Sequence, residues 1–265
     1  MRRLSLIPLA VLALVTGCGA SSSGSGSAGY ADLIRTASTK TSSTGSSMLA
    51  LTSTTTARGR TVTFDGSGAF DYSKKTGRLD LHVGSLGAGG GATIVERITG
   101  GALYLQLPTA PGSFYKLELS DLAGTSLAAG SDPTSSLGSL AGVSGEVSKV
   151  GTEQVRGEKT THYRGTIDVQ KALARLTGVN RDLVQKSLVA NGVKTLPFDA
   201  YLDAQGRLRK YVQHVTLTAK GQTADSTTTV ELYEFGTKVD VTAPPASQVK
   251  DGAPLLAALK AQASR

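Results

Sequence analysis

The sequence predicts an α+β fold in which a single antiparallel β-sheet carries helices gathered on its concave side. Three observations predict it. Runs with period-two alternation recur through both halves of the chain, Gly-rich breaks separate them, and helical spacing is confined to the start, a mid-chain pair and residues 253–265.

The chain opens with Arg2 and Arg3, and Leu4 to Val15 is an apolar run of about a dozen residues, too short for a mature membrane span of ~20. That is a secretory signal layout. Val15, Thr16, Gly17 and Cys18 then resemble a bacterial lipobox, in which cleavage precedes the cysteine and its thiol carries a diacylglycerol. A lone cysteine can form no internal disulfide, so processing is the reading for Cys18. Every residue from Gly19 to Gly29 is Gly, Ser or Ala, the composition of a flexible tether. Each buried acyl methylene contributes roughly 0.8 kcal/mol, so two or three chains anchor where one does not. The sequence divides into a signal peptide (1–17), a lipidated linker (18–29), an α+β domain (30–250) and a C-terminal tail or short helix (251–265). The expected location is the cell membrane, lipid-anchored on the extracytoplasmic face.

Past the linker, Tyr30, Leu33, Ile34 and Ala37 recur at helical spacing. From Ser46 the period changes to two. In TVTFDGSGAFDY, Val62, Phe64, Gly66, Gly68, Phe70 and Tyr72 share one face, and Thr61, Thr63, Asp65, Ser67 and Asp71 share the other. Two glycines on an apolar face mark a bend or a close approach. The alternation continues through Leu79, Leu81 and Val83, through Leu103, Leu105 and Leu107, and through Tyr115, Leu117 and Leu119, which makes an antiparallel meander with one wet face. Residues 123–142, rich in Ser, Gly and Ala, read as a mobile connection, with Pro133 able to start a short helix.

The second half repeats the theme. Strand-like residues at 147–155 and 160–166 lead to Asp168, an N-cap for VQKALARL; Gly178 ends that helix, and Asn180 caps a second one to about Ala190. Residues 196–221 read as strand, turn at Asp203 to Gly206, and strand; Ser226 to Phe235 adds the last.

Composition narrows the partners. After cleavage the formal charge falls from +8 to +6, because Arg2 and Arg3 leave with the signal. The remaining basic residues are scattered, with no aromatic-interleaved strip, so nucleic acid is not expected as a partner, and the charge suits either an anionic lipid surface or simply a soluble basic surface. His82, His162 and His214 lie on separate strands without metal-ligand spacing, and HExxH, CxxC and EF-hand patterns are missing from the sequence. GSLGAGGGAT lacks the lysine and helix of a phosphate loop, and no GxSxG elbow occurs. Asp199 and Asp203 would stand roughly 13 Å apart at ~3.3 Å per residue, too far for a glycosidase pair. The expectation is a non-enzyme, with no catalytic residue, no metal and no cofactor.

GEVSKVGTEQVRGEKTTHYRGTIDV (145–169), the helices after it and LPFDAYLDAQGRLRKY (196–211) resemble actinobacterial lipoproteins of the LppX and LprAFG type. The resemblance spans most of the mature chain by layout but is specific only in these segments and the lipobox. It implies a strongly curved antiparallel sheet, a half-barrel like the LolA carrier fold, wrapped around an apolar cavity for lipid or glycolipid acyl chains. No ligand-contacting motif carries over residue by residue.

The residues themselves offer a lining for such a cavity: Val62, Phe64, Phe70, Tyr72, Leu79, Leu81 and Leu105 from the strands, with Ala172, Leu173, Leu176, Leu183 and Val184 from the helices as its cap. Inward glycines and only 5% aromatic residues argue for unfilled room there. The expected function is a membrane-anchored, monomeric envelope lipoprotein that binds or carries acyl chains, tethered to membrane lipid through acylated Cys18. The alternative is a non-enzymatic envelope interaction or sensor-associated module in which the same residues fill a solid core.

Overall fold

The computed structural model describes residues 25–84, 91–122, 137, 140–143, 146–175, 181, 185, 188–219 and 221–263. Helix α1 (Ser25–Ser42) begins inside the segment 18–29 expected to be a flexible linker, a correction to that boundary, because helical hydrogen bonding continues the turn of Tyr30 back through small Gly, Ser and Ala residues. It is followed by six strands, β1 (Ser46–Ala57), β2 (Arg60–Asp71), β3 (Thr76–Val83), β4 (Ala92–Thr99), β5 (Ala102–Gln106) and β6 (Phe114–Glu118). Then come β7 (Ser148–Val155), β8 (Glu158–Asp168), α2 (Val169–Arg175), β9 (Thr195–Leu202), β10 (Leu208–Ala219), β11 (Gln222–Tyr233), β12 (Val249–Asp251) and α3 (Ala253–Ala263). The twelve strands among the described residues belong to one open sheet in the order β12-β6-β5-β4-β3-β2-β1-β11-β10-β9-β8-β7.

That order is two meanders joined back to back, β1 to β6 on one side and β7 to β11 on the other, with β1 paired antiparallel to β11 from Met48↔Tyr233 to Ala57↔Ala224. Two of the hairpins turn on Arg58-Gly59 and Arg156-Gly157, where both residues of each pair take positive φ. This is the two-residue turn whose twist matches that of its flanking strands.

The sheet is mixed rather than wholly antiparallel, a correction to the sequence expectation. β12 runs parallel to β6, with Val249 opposite Phe114 and Asp251 opposite Lys116. The tail returns to that edge through the 3-10 turn Ala246–Gln248, and only three residues pair, too few to leave an alternation to read. Helix α3 follows at once, its first turn capped by Asp251 Oδ1, and docks beside β6 through buried Leu256.

Alternation decides what is buried. Leu49, Phe70, Leu79, Leu103, Leu105 and Leu117 are buried on one face of the first meander. Thr61, Thr63, Asp65 and Ser67, facing the other way, are exposed. In the second meander Phe198, Ala200 and Leu202 are buried on successive same-face positions of β9. Helix α1 joins this core by Ala31, Ile34, Ala37 and Thr41; Leu33, expected on the same apolar stripe, is instead exposed. Thr41 Oγ1 accepts a 2.9 Å bond from the Leu208 N–H and donates to the Ala37 carbonyl, fastening the helix to the head of β10.

The connection from β6 to β7 crosses from one meander to the other. Residues 123–136, most of the segment expected to be mobile, lie outside the described residues, but its end does not: Leu137, Leu140 and Val143 are buried, and Arg35 donates to the Val143 carbonyl at 2.8 Å. Gly142 sits so close to α2 that a Cβ would meet Ala172 Cβ at 2.4 Å. The expected cap on α2 is present, with the Lys171 N–H on Asp168 Oδ1 at 3.0 Å. Most of the second expected helix lies outside the described residues; its far end, Val189–Asn191, is a 3-10 turn closed by left-handed Gly192.

Candidate ligand-binding face of the sheet

The strand residues expected to line a cavity fall on one face of the sheet. Phe70, Tyr72, Leu79, Leu105 and Leu173 are buried, while Val62, Phe64 and Leu81 are half-buried toward the far ends of β2 and β3. Leu176 and Leu183 lie outside the described residues, as does Cys18. The strand pairings arrange the face in rows. One row reads Leu49, Gly68, Leu79, Glu96, Leu105 from β1 to β5, and the next reads Leu51, Gly66, Leu81, Ile94 from β1 to β4.

The inward glycines do not leave the room they were expected to leave. Leu81 Cδ2 would stand 2.7 Å from a Cβ at Gly66, and Phe70 Cδ2 would stand 2.4 Å from one at Gly77. At Gly68 the obstacle is backbone, the Arg78 carbonyl oxygen at 2.0 Å. These glycines allow close approach, and neighbouring side chains fill what they vacate. Tyr72 is likewise engaged: its hydroxyl meets Ser47 Oγ at 2.6 Å, and burial raises its pKa despite that bond.

Glu96 breaks the apolar pattern. It occupies an inward position of β4 between Ile94 and Ile98, faces Leu79 on one side and Leu105 on the other, and is 4% exposed. Its Oε2 is buried without a hydrogen-bond partner among the described residues. Burial disfavours the charged form and pushes its pKa up to about 7. A small cleft lined by Leu49, Phe70, Leu79, Ile98 and Glu96 has about 10 Å³ of water-sized room. Sequence reasoning passed over β4 and Glu96 together, since a glutamate inside I-V-E-R-I blurs the alternation by which strands are recognised; the inward register of Ile94 and Ile98 was the signal available.

The opposite face of the second meander carries a charged cluster. His162 was expected to be an isolated strand residue, yet its Nε2 lies 2.6 Å from Asp199 Oδ1 and its Nδ1 3.0 Å from Glu153 Oε1. Arg164 Nε adds a 2.8 Å bond to the same Asp199 oxygen, and His214 Nε2 stands 3.8 Å from the other. The His162 ring stacks on Tyr201 at 4.3 Å. With carboxylates at both ring nitrogens, His162 joins β7, β8 and β9. No group of three or more metal-ligating side chains suited to a metal ion occurs among the described residues.

Asp203, expected at a turn, is a buried turn anchor. Its Oδ1 accepts the Gln205 and Arg207 N–H groups, and its Oδ2 accepts Arg207 Nε at 2.7 Å and Arg209 Nε at 3.0 Å. Burial opposes its charge, but the Arg207 and Arg209 bonds outweigh that, and its pKa is lowered. Both guanidinium groups lie 4.6 Å over the Phe235 ring.

Comparison with known proteins bears on this face. No family model matches the chain. Over 111 residues, 41% of this chain, it is 32% identical to an uncharacterised 31.2 kDa protein of Streptomyces griseus, and the match spans 35% of that protein's length. Among solved structures it is similar to the lipoprotein LppX of Mycobacterium tuberculosis, with a TM-score of 0.50 and 14% identity over 81% of this chain and 99% of that one. The chain has the LppX-type fold. LprF from Mycobacterium bovis is a further neighbour, with a TM-score of 0.46 and 14% identity over 83% of this chain and 99% of that one. In this sheet the rows containing Leu79 and Leu81 lie on one apolar face.

Proposed function

We propose that this protein is an envelope lipoprotein that binds or carries lipid acyl chains against the apolar face of its sheet, held at the membrane by acylated Cys18. The observation that supports the reading is an LppX-type sheet whose inward face passes from a buried row at Leu49 and Leu79 to a half-buried row at Leu51 and Leu81. An acyl chain laid along the half-buried row gains roughly 25 cal/mol per Å² of apolar surface removed from water. Curvature of the sheet into a half-barrel, with the helices over its concave side, would make that burial two-sided. The lipobox-like Val15 to Cys18 and the Gly/Ser tether behind it would keep the carrier at the extracytoplasmic surface as a monomer, without catalytic chemistry of its own.

A second reading has one observation in its favour: Leu81 and Phe70 fill the space beside Gly66 and Gly77. A solid core of this kind would suit an interaction module in the envelope. One experiment separates the two. The full chain carrying Cys18→Ser is purified without added lipid, extracted with organic solvent and analysed by mass spectrometry, then titrated with the apolar fluorophore N-phenyl-1-naphthylamine. Co-purified lipid or saturable uptake supports the carrier; neither lipid nor uptake leaves the interaction module.

A further inference from the structure

We infer that Glu96 is a hydrogen-bonding anchor within the apolar face, and that it selects an uncharged long-chain lipid bearing a hydroxyl group. The inference rests on the lipid-binding reading above.

The argument starts from cost. A carboxyl buried among Leu49, Phe70, Leu79 and Ile98 gives up its hydration, and one of its oxygens regains nothing from the protein among the described residues. Burying a polar group without a partner is unfavourable, so such a group marks a place where a partner from outside fits. Arg78, which also borders the cleft, spends its guanidinium on Asp80 at 3.1 Å. The room beside Glu96, about 10 Å³, suits one water-sized group and no chain. The chain has its own place next to it. Leu81 and Ile94 in the neighbouring row, and Phe64 and Val62 beyond, are half-buried and lead along the same face to Glu96.

The chemistry of the terminal group follows from the surroundings. An ionised fatty-acid carboxylate would bring a second negative group beside Glu96, and an ammonium would require burying an ion pair among leucines, with both charges desolvated. A hydroxyl carries no charge to desolvate and offers one donor and two acceptor lone pairs, which answer both the O–H and the C=O of a neutral carboxyl. The raised pKa of Glu96 agrees with that neutral form at neutral pH and below.

The test uses the Cys18→Ser full chain loaded with N-phenyl-1-naphthylamine and displaced at pH 6 by 1-hexadecanol or by hexadecane. With Glu96 present, the alcohol should displace the probe about 10-fold more effectively than the alkane, the ratio that about 1.4 kcal/mol, one net hydrogen bond, provides. Glu96→Leu should bind hexadecane undiminished and bring the ratio near one, while Glu96→Gln, which keeps a donor and an acceptor, should retain most of it. Equal displacement by alcohol and alkane in the parent, or a preference that survives in Glu96→Leu, overturns the assignment, and Glu96 then holds a structural water only. Those outcomes leave lipid binding intact, whereas a protein that takes up no probe overturns both.

Discussion

His162 Nε2 and Asp199 Oδ1 lie 2.6 Å apart, and this contact ties β8 to β9 on the face of the sheet opposite the apolar rows. A His162→Phe replacement keeps a ring to stack on Tyr201 but takes one partner from the buried Asp199 carboxylate, leaving it Arg164, and one from Glu153. We expect a loss of about 1–3 kcal/mol in urea unfolding. In an Asp199→Asn background the same replacement should cost less by about 1 kcal/mol. Strict additivity of the two changes would show that the contact carries no coupling.

Glu96 gives stability a dependence on pH. Its folded pKa is raised from 4.5 to about 7, so between those values the folded chain keeps a proton that the unfolded chain has released. Stability is then fully present below about pH 4.5 and falls as pH rises toward 7, by about 3 kcal/mol as an upper bound. Glu96→Gln should flatten this slope, which unfolding midpoints at pH 5 and pH 8 would reveal. An unchanged slope in the variant would place the pH dependence elsewhere. Asp71, lowered to about 2 by the Ser73 hydroxyl and the Lys74 N–H, acts in a separate acid window below its ordinary 3.8 and with the opposite sign.

Asp203 holds the β9–β10 turn and two arginines at once. Asp203→Ala leaves Arg207 and Arg209 stacked on Phe235 without their common acceptor, and we expect a loss of about 3 kcal/mol at pH 7. Because its folded pKa is lowered, the contribution of Asp203 is present above its ordinary 3.8 and is lost as pH falls. The variant and the parent should therefore converge in acid. A constant difference down to low pH would contradict the role assigned to its charge.

Gly68 tests the close approach of β2 and β3. A methyl group there meets the Arg78 carbonyl oxygen at 2.0 Å, a backbone atom that cannot turn aside. Gly68→Ala should cost about 3 kcal/mol, while Gly151→Ala, where a Cβ meets nothing within 4 Å, should stay within about 0.5. Thermal unfolding of the pair would decide it, and equal melting temperatures would refute the crowding.

Cys18 tests the anchor. Cys18→Ser should move the protein from the membrane fraction to the soluble extracytoplasmic fraction, since a Gly/Ser tether offers no apolar surface of its own. Retention of the variant on membranes at high salt would mean that another element holds it there.

Some of this was legible in one dimension. The strands bearing Phe64, Leu81, Leu105 and Leu117 could be read because one wet face leaves strict alternation, and the α2 cap because Asp168 acts within three residues of itself. β4 was not, since its inward Glu96 breaks that alternation. β12 was not, because three residues hold no period. The association of His162 with Asp199 was hidden for another reason: 37 residues separate them, and only the β8–β9 register sets them side by side.

Local chemistry is thus what the sequence determined on its own: where strands alternate, where α2 begins, and that the architecture is α+β. Such features depend on residues within a few positions of one another. The tertiary structure alone decided that Leu81 fills the space beside Gly66, that two meanders join through β1 and β11, and that Glu96 Oε2, buried among leucines, has no partner among the described residues. Those outcomes follow from long-range strand pairing, which brings together side chains that no local period connects.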